Sequence, residues 1–351
     1  MILKDLKGKI IFIILIGILI LVSLFSMSMG SVKISFHDIY EILGNKLFNL
    51  SLSPHIQQST VDIIWQIRFP RVILGAVVGI GLALCGVVMQ ATVQNPLADP
   101  YILGISSGGT LGATFSVLVF SVYFSSSSIS LSISVAAFIG ALLSSIVVFK
   151  ISTIGGRMTP VKLVLSGVVV NFICAAFSSL MIYMSNDNGA VRSIADWTMG
   201  SLAGATLKNI TLPLISVILI GGFFLTQSRI LNIMLLGDES AITLGVDLNK
   251  YRKIYLLLTA FLTGIMVAAC GIIGFVGLVI PHITRSLVGT NHKINTPCAM
   301  LIGGIFLMLS DIIARSLLTS MELPIGIITS IIGAPFFMYI LIKKSYSFGG
   351  A

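Results

Sequence analysis

The sequence predicts an all-α membrane protein of about ten spanning helices, and three observations carry that reading. Hydrophobic residues make up 56% of the 351-residue chain, charged residues only 9%, and the mean hydropathy is +1.07, a balance outside the range of water-soluble domains. Apolar runs near the roughly 20 residues that cross a bilayer as a helix lie at about 10–28, 71–91, 104–123, 131–150, 163–184, 211–227, 254–270, 273–288, 298–317 and 325–342. Their apolarity is continuous rather than alternating, which excludes a β-barrel, the other way of satisfying a backbone in lipid.

Nothing between the runs is long enough for a soluble domain, so residues 1–351 read as one transmembrane unit. With ten spans and a cytoplasmic N-terminus, Lys33, Lys46, Arg68, Arg71, Arg192, Lys208 and Arg315 fall outside and the other 14 of the 21 basic residues fall inside. That bias fits a multi-pass protein of the cell membrane with both termini cytoplasmic. The net charge of +9 is thereby a topology signal rather than a nucleic-acid footprint.

Taken in order, Lys4, Lys7 and Lys9 precede the first run, which is long for a signal peptide and is followed by no A-x-A-like site, so it reads as an uncleaved span. The outer segment Gly30–Arg71 closes with WQIRFPR. Trp65 suits the membrane interface and Pro70 the first turn of the next helix. Arg68 and Arg71, three residues apart, are expected to project together toward water. They are either a snorkelling pair at headgroup level or a cationic patch that steers an acidic partner. Exposed ion pairs contribute only about 0.2–1 kcal/mol each, so such a patch sets orientation and on-rate more than affinity.

The second run carries Gly75 and Gly79 at G-x-x-x-G spacing, which lets helices approach closely. QNPLADPYILGISSGG, 94–109, then breaks the helix at Pro96 and Pro100, with Asp99 placed to cap a restart. Gly155–Lys162, GGRMTPVK, is a turn on the cytoplasmic side, and Asn186–Lys208 with Trp197 is either an outer vestibule or a solvated loop. The stretch Ser228–Lys253 is the longest inner segment. Asp238 can cap a turn ending at Gly245, and Asp247 can cap a second helix. Ile242, Leu244, Val246 and Leu248 are then left uncovered, which suits either a docking face for a soluble partner or an ordinary connection. His282 follows Pro281 and reads as hydrogen-bonded structure, and Arg315 stands four residues after Asp311, placed to pair with it.

Several chemistries are missing from the sequence. It has no G-x-x-x-x-G-K-[ST] loop to cradle a nucleotide. No His, Cys, Asp and Glu cluster has metal-ligand spacing, so neither a metal site, a cofactor nor a naked-metal cargo is expected. The four cysteines read as small apolar packers. No catalytic arrangement is present, so the chain is not expected to be an enzyme.

RFPR, GLALCGVVMQATVQNPLADPYILGISSGG, LVLSGVVVN (Leu163–Asn171), WTMGSL (Trp197–Leu202), LGDESAITLGV (Leu236–Val246), GIIGFVGLVIPHITR (Gly271–Arg285) and ELPIGIITSIIGAPFF (Glu322–Phe337) together resemble the FecCD family. These are permeases of ATP-binding-cassette importers for iron-siderophores, haem and cobalamin. The resemblance runs from about Trp65 to Lys344 in the family's order. It implies a type II importer permease that pairs with a second permease chain, identical or related, to form the path at their interface. Two cytoplasmic ATP-binding subunits and an extracytoplasmic substrate-binding protein complete the machine, with membrane lipid around it and no nucleic acid.

By motif match, the resemblance assigns ATPase coupling to Leu236, Gly237, Asp238, Glu239, Ser240, Ala241, Leu244, Gly245 and Val246. It assigns docking of the binding protein to Arg68, Arg71 and Arg315, and a cytoplasmic gate to Thr159 and Pro160. Pairing of Arg315 with Asp311 would weaken its docking role. The cargo expected is an iron(III)-siderophore chelate, with haem or cobalamin as alternatives. A gradient-driven secondary transporter is the competing class, disfavoured because the charges gather at helix ends rather than inside the bundle.

Overall fold

The second apolar run becomes the axis around which the other helices pack. The computed structural model describes residues 2–30, 32–120, 129–155, 158–185, 187–318 and 321–343, so Arg157 and Lys344 of the inner basic set lie outside the described residues. Every regular element among those residues is helical. Helix α1 (Ile2–Ser28) leads to a short helix α2 (Phe36–Phe48) and then to α3 (Gln58–Thr92). Next come α4 (Ile105–Phe115), α5 (Ile129–Thr153), α6 (Pro160–Met184), α7 (Asn188–Thr198) and α8 (Leu207–Thr226). The chain finishes with the short α9 (Ser228–Leu235) and α10 (Asp238–Thr243), then α11 (Leu248–Cys270), α12 (Val276–Val288), α13 (His292–Ser316) and α14 (Ile325–Lys343).

Among the described residues, seven helices are long and apolar enough to cross a bilayer: α1, α3, α5, α6, α8, α11 and α13. Three shorter apolar helices, Ile105–Val119, Val276–Val288 and Ile325–Ile340, fall where the remaining runs were expected. Helix α3 starts at Gln58, well before the expected residue 71. Pro70 lacks an N–H and crowds the turn before it, and the helix accommodates this with a wider π turn over Ile63–Arg68 instead of ending. Trp65 stacks on Phe69 there, ring centroids 4.9 Å apart.

Helix α3 is mostly buried because small residues let its neighbours approach. A Cβ on Gly79 would stand 2.2 Å from the Gly303 carbonyl oxygen of α13, and one on Gly86 would stand 2.0 Å from the Gly277 carbonyl oxygen of α12. Gly75 meets only side chains, so the close crossings are made by Gly79 and Gly86 rather than by the G-x-x-x-G pair.

Two breaks in the bundle satisfy each other. Residues 93–104 and 271–275 are irregular, and Tyr101 Oη donates to the Ile273 carbonyl (3.0 Å) while accepting from its N–H (3.2 Å). Non-helical backbone at this depth is tolerable only inside protein. Asp99 does cap the short turn Pro100–Leu103, accepting from Tyr101 N at 2.8 Å. His282 is held by the Pro96 carbonyl at 2.9 Å, and all four cysteines are free and buried.

Candidate functional site

Three regions carry the polar chemistry. The first lies where α1 ends. Arg68, Arg71 and Arg315 gather around a cavity of about 380 Å³ that Gly30, Ile67, Met321 and Glu322 also border. The expectation that Arg68 and Arg71 project into water is not met: they are 4% and 6% exposed, and Arg315 is 9% exposed. The reason is uncompensated polarity nearby. The last carbonyls of α1 have no partner within the helix and form the negative end of its dipole. Arg68, turned inward by the π turn, donates to the carbonyls of Met27 (2.7 Å), Ser28 (3.1 Å) and Val32. Arg315 donates to the carbonyls of Met29 (2.8 Å) and Ser26 and to Ser26 Oγ (2.8 Å).

The anticipated Arg315–Asp311 pair forms at 3.2 Å. Asp311 is shared, because Arg71 also contacts it at 2.9 Å while its other nitrogen reaches Glu322 at 2.7 Å. Asp311 is buried, whereas the Glu322 side chain is 50% exposed. Two guanidinium groups thus meet two carboxylates, while the third, Arg68, is held by backbone carbonyls. Sequence reasoning left out Glu322 as a partner, since 251 residues separate it from Arg71.

The second region is the loop between α8 and α11. Helix α10 ends in a glycine-capped motif: Val246 N–H reaches the Ala241 carbonyl (2.9 Å), Gly245 N–H reaches the Ile242 carbonyl (3.0 Å), and Gly245 has φ 70°. Asp247 caps α11 through Asn249 N at 3.0 Å. Asp238, however, is not the cap of α10; Gly237 occupies that place. Its carboxylate instead takes the buried Arg252 guanidinium, Nη1 at 2.9 Å, and Gln94 Nε2 at 3.3 Å. The hydrogen bonds from Arg252 hold the Asp238 carboxyl below the usual carboxylate range. Arg252 also donates to the Thr92 carbonyl (3.2 Å), and Gln94 to that of Met234 (2.9 Å). The loop is therefore tied to the end of α3 and the root of α11.

Of the residues expected uncovered, Ile242 and Leu244 are exposed, with Leu235 and Leu236 beside them. Leu248 is buried and Val246 packs on the core, contrary to that expectation. Both follow the tight turn at Gly245, which folds the chain back under α10. Glu239 is exposed, Ser240 Oγ donates to the Leu236 carbonyl (3.0 Å), and Ala241 is buried. Thr159 caps α6, accepting from Lys162 N (3.3 Å), and Pro160 is its first residue. Both line a narrow cleft with Thr92, Val93, Arg252 and Leu256.

The third region is a groove of about 630 Å³ between α4 and α6, lined by Tyr101, Ser106, Ser107, Thr110, Asn171 and Phe172. Ser107 Oγ donates to Asn171 Oδ1 at 2.6 Å. Sequence reasoning passed over this groove. The available signal was Asn171 itself, an amide inside an apolar run.

The FecCD transport family matches residues 18–343. The hemin transport system permease of Yersinia pestis is 36% identical, over 94% of this chain and 94% of its own length. The cobalamin import system permease of Halobacterium salinarum is 39% identical, over 82% of this chain and 75% of its own length. Among solved structures, one described as an inward-facing conformation of a putative metal-chelate type ABC transporter superposes with a TM-score of 0.79 at 33% identity, covering 96% of this chain and 99% of that one.

Proposed function

The chain belongs to the FecCD transport family, as the non-enzymatic membrane permease of a type II ABC importer whose ATPase sits in a separate subunit, and on that premise we propose that its cargo is an iron(III)-siderophore chelate. The groove between α4 and α6 carries the proposal. Its lining sets the hydroxyls of Tyr101, Ser106, Ser107 and Thr110 and the Asn171 amide beside the apolar Val168, Phe172 and Ala175, without a carboxylate, which suits a bulky chelate that brings its own metal ligands rather than a bare cation. The haem and cobalamin systems among its relatives support cargo of that size class, while the molybdate import permease of Haemophilus influenzae, 34% identical, makes a small oxyanion the competing reading.

Ten spans, both termini in the cytoplasm and a second permease chain complete this reading. Hydroxyl and amide groups in a groove open to the side are costly against lipid, so a partner permease covers it and the path runs between the two. The apolar patch of Leu235, Leu236, Ile242 and Leu244 docks in an ATPase subunit. Force on α10 passes through Asp238 and Arg252 to α11 and, by way of the Thr92 carbonyl, to α3. Arg252 also borders the Thr159–Pro160 turn, which supports reading that turn as a gate worked by the same strut. At the other end, Arg71 with Arg68 and Arg315 beneath it receives acidic side chains of the delivery protein.

A transport panel tests the cargo. The permease is reconstituted in liposomes with its ATPase and delivery protein and offered a ferric siderophore, hemin or cyanocobalamin. ATP-dependent accumulation of the siderophore is expected. Accumulation of hemin or cyanocobalamin without the siderophore overturns the assignment.

A further inference from the structure

Near the arginine cavity, but not part of it, the fold assembles a group that the spacing of the sequence hides. His37 and Asp38 open α2, and His55 lies in the loop that follows it; one ligand atom from each stands within 4.8 Å of the others. His55 Nε2 is 3.4 Å from Asp38 Oδ1. Two ligands on a tetrahedral zinc with bonds of about 2.0–2.1 Å stand roughly 3.3–3.4 Å apart, so this pair already has the separation that a shared ion requires. The His37 side chain is 71% exposed, so its ring can swing toward the pair with little steric cost.

The surroundings hold the group together. Glu41, one helical turn after His37, stands 3.4 Å from His37 Nδ1. Its two oxygens also accept from Ser53 N (3.1 Å) and Ser53 Oγ (3.0 Å), which pins the loop two residues before His55. A carboxylate behind a ligating histidine fixes the ring and raises its basicity. On its other face α2 is anchored through Ile39 and Ile42, which are fully buried against Val61, Ile64, Val72 and Met308. Two imidazoles and a carboxylate, with a position left for water, suit a first-row divalent ion and not magnesium or calcium, which favour all-oxygen sites.

We propose that His37, Asp38 and His55 form a binding site for a divalent transition-metal ion, with Glu41 as the outer partner of His37, and that the bound ion ties the loop at 49–57 to α2. None of the three residues lines the arginine cavity or the α4–α6 groove, and the proposal does not depend on the cargo.

The test uses the full chain in nanodiscs with any affinity tag removed and zinc chloride as the probe. The other two histidines, His282 and His292, are buried, so the background is low. Calorimetry and metal analysis are expected to give one zinc per chain, not displaced by excess magnesium. His37→Ala and His55→Ala each weaken binding at least about tenfold, while His55→Cys retains it, since a thiolate replaces the imidazole. Zinc also slows amide exchange across 49–57 in the wild type and not in His55→Ala. A wild type that takes up less than one zinc, or an affinity unchanged in the His37→Ala/His55→Ala double variant, overturns the proposal.

Discussion

Replacing Asp311 by Asn tests the buried charge cluster most sharply. The carboxylate lies between Arg71 and Arg315 at 2.9 and 3.2 Å, and all three side chains are at most 7% exposed. At an effective dielectric constant of 20, each pair contributes about 4 kcal/mol of Coulomb attraction, largely offset by the several kcal/mol of desolvation per ion. Removing one partner forfeits the attraction without recovering the desolvation, and costs about 3–5 kcal/mol. Glu322 remains on Arg71, and the α1 carbonyls remain on Arg315, so the lower end, about 3 kcal/mol, is expected. Equilibrium unfolding in mixed detergent–SDS micelles reads this directly. The double variant Asp311→Leu/Arg315→Leu also takes the donor from the Met29 and Ser26 carbonyls and is expected to lose more than Asp311→Asn alone, because buried acceptors are then left unsatisfied. An Asp311→Asn loss below about 1 kcal/mol, or a double variant no worse than the single, refutes the reasoning.

Helix packing, the exposed edge of the charge cluster and the Asp238–Arg252 pair are each open to test. Gly79→Ala forces a Cβ against the Gly303 carbonyl and is expected to cost about 1–3 kcal/mol in the same unfolding assay, whereas Gly222→Ala, with nothing within 4 Å, is expected to be neutral or slightly stabilising. Glu322→Gln releases Arg71 from its exposed partner, and is expected to tighten binding of the delivery protein at low salt by up to about fivefold, measured by surface plasmon resonance; weaker binding counts against a docking role for Arg71. Arg252→Ala should lower uptake per ATP hydrolysed while leaving the ATPase bound. Because Arg252 depresses the Asp238 carboxyl, their pair is present above the ordinary carboxylate value of about 4 and is lost only as pH falls below it. Coupling in the wild type is therefore expected to be flat from pH 8 to 5, and a loss of coupling near pH 6 would assign it to another group.

Local signals were legible in the sequence. Long apolar runs located the spanning helices, Gly245 and Asp247 marked the two helix ends in the loop between α8 and α11, and the Asp311–Arg315 spacing announced their pair. What stayed hidden depends on contacts distant along the chain. Nothing near WQIRFPR says that Arg68 caps the carbonyls of Met27 and Ser28 some 40 residues earlier. Nor does it say that Arg71 shares Asp311, 240 residues later. Asp238 looked like a helix cap because its preference for that place is local, but Arg252, 14 residues on, outcompetes the backbone for its carboxylate. The early start of α3 escaped because residues 58–68 are too polar to read as membrane, although they continue the same helix. His37 and His55 were passed over for a related reason: a loop of irregular backbone sets their separation, and no spacing rule describes it.

The central claim is that this permease has no engine of its own and moves only when a separate ATPase acts on α10. Uptake by liposomes containing the chain alone, under an imposed proton or sodium gradient, measured beside liposomes that also hold the ATPase, internal ATP and the delivery protein, tests it most directly. Accumulation against the substrate gradient is predicted only in the second set and only while ATP lasts. Uphill uptake by the chain alone on an ion gradient would contradict the account.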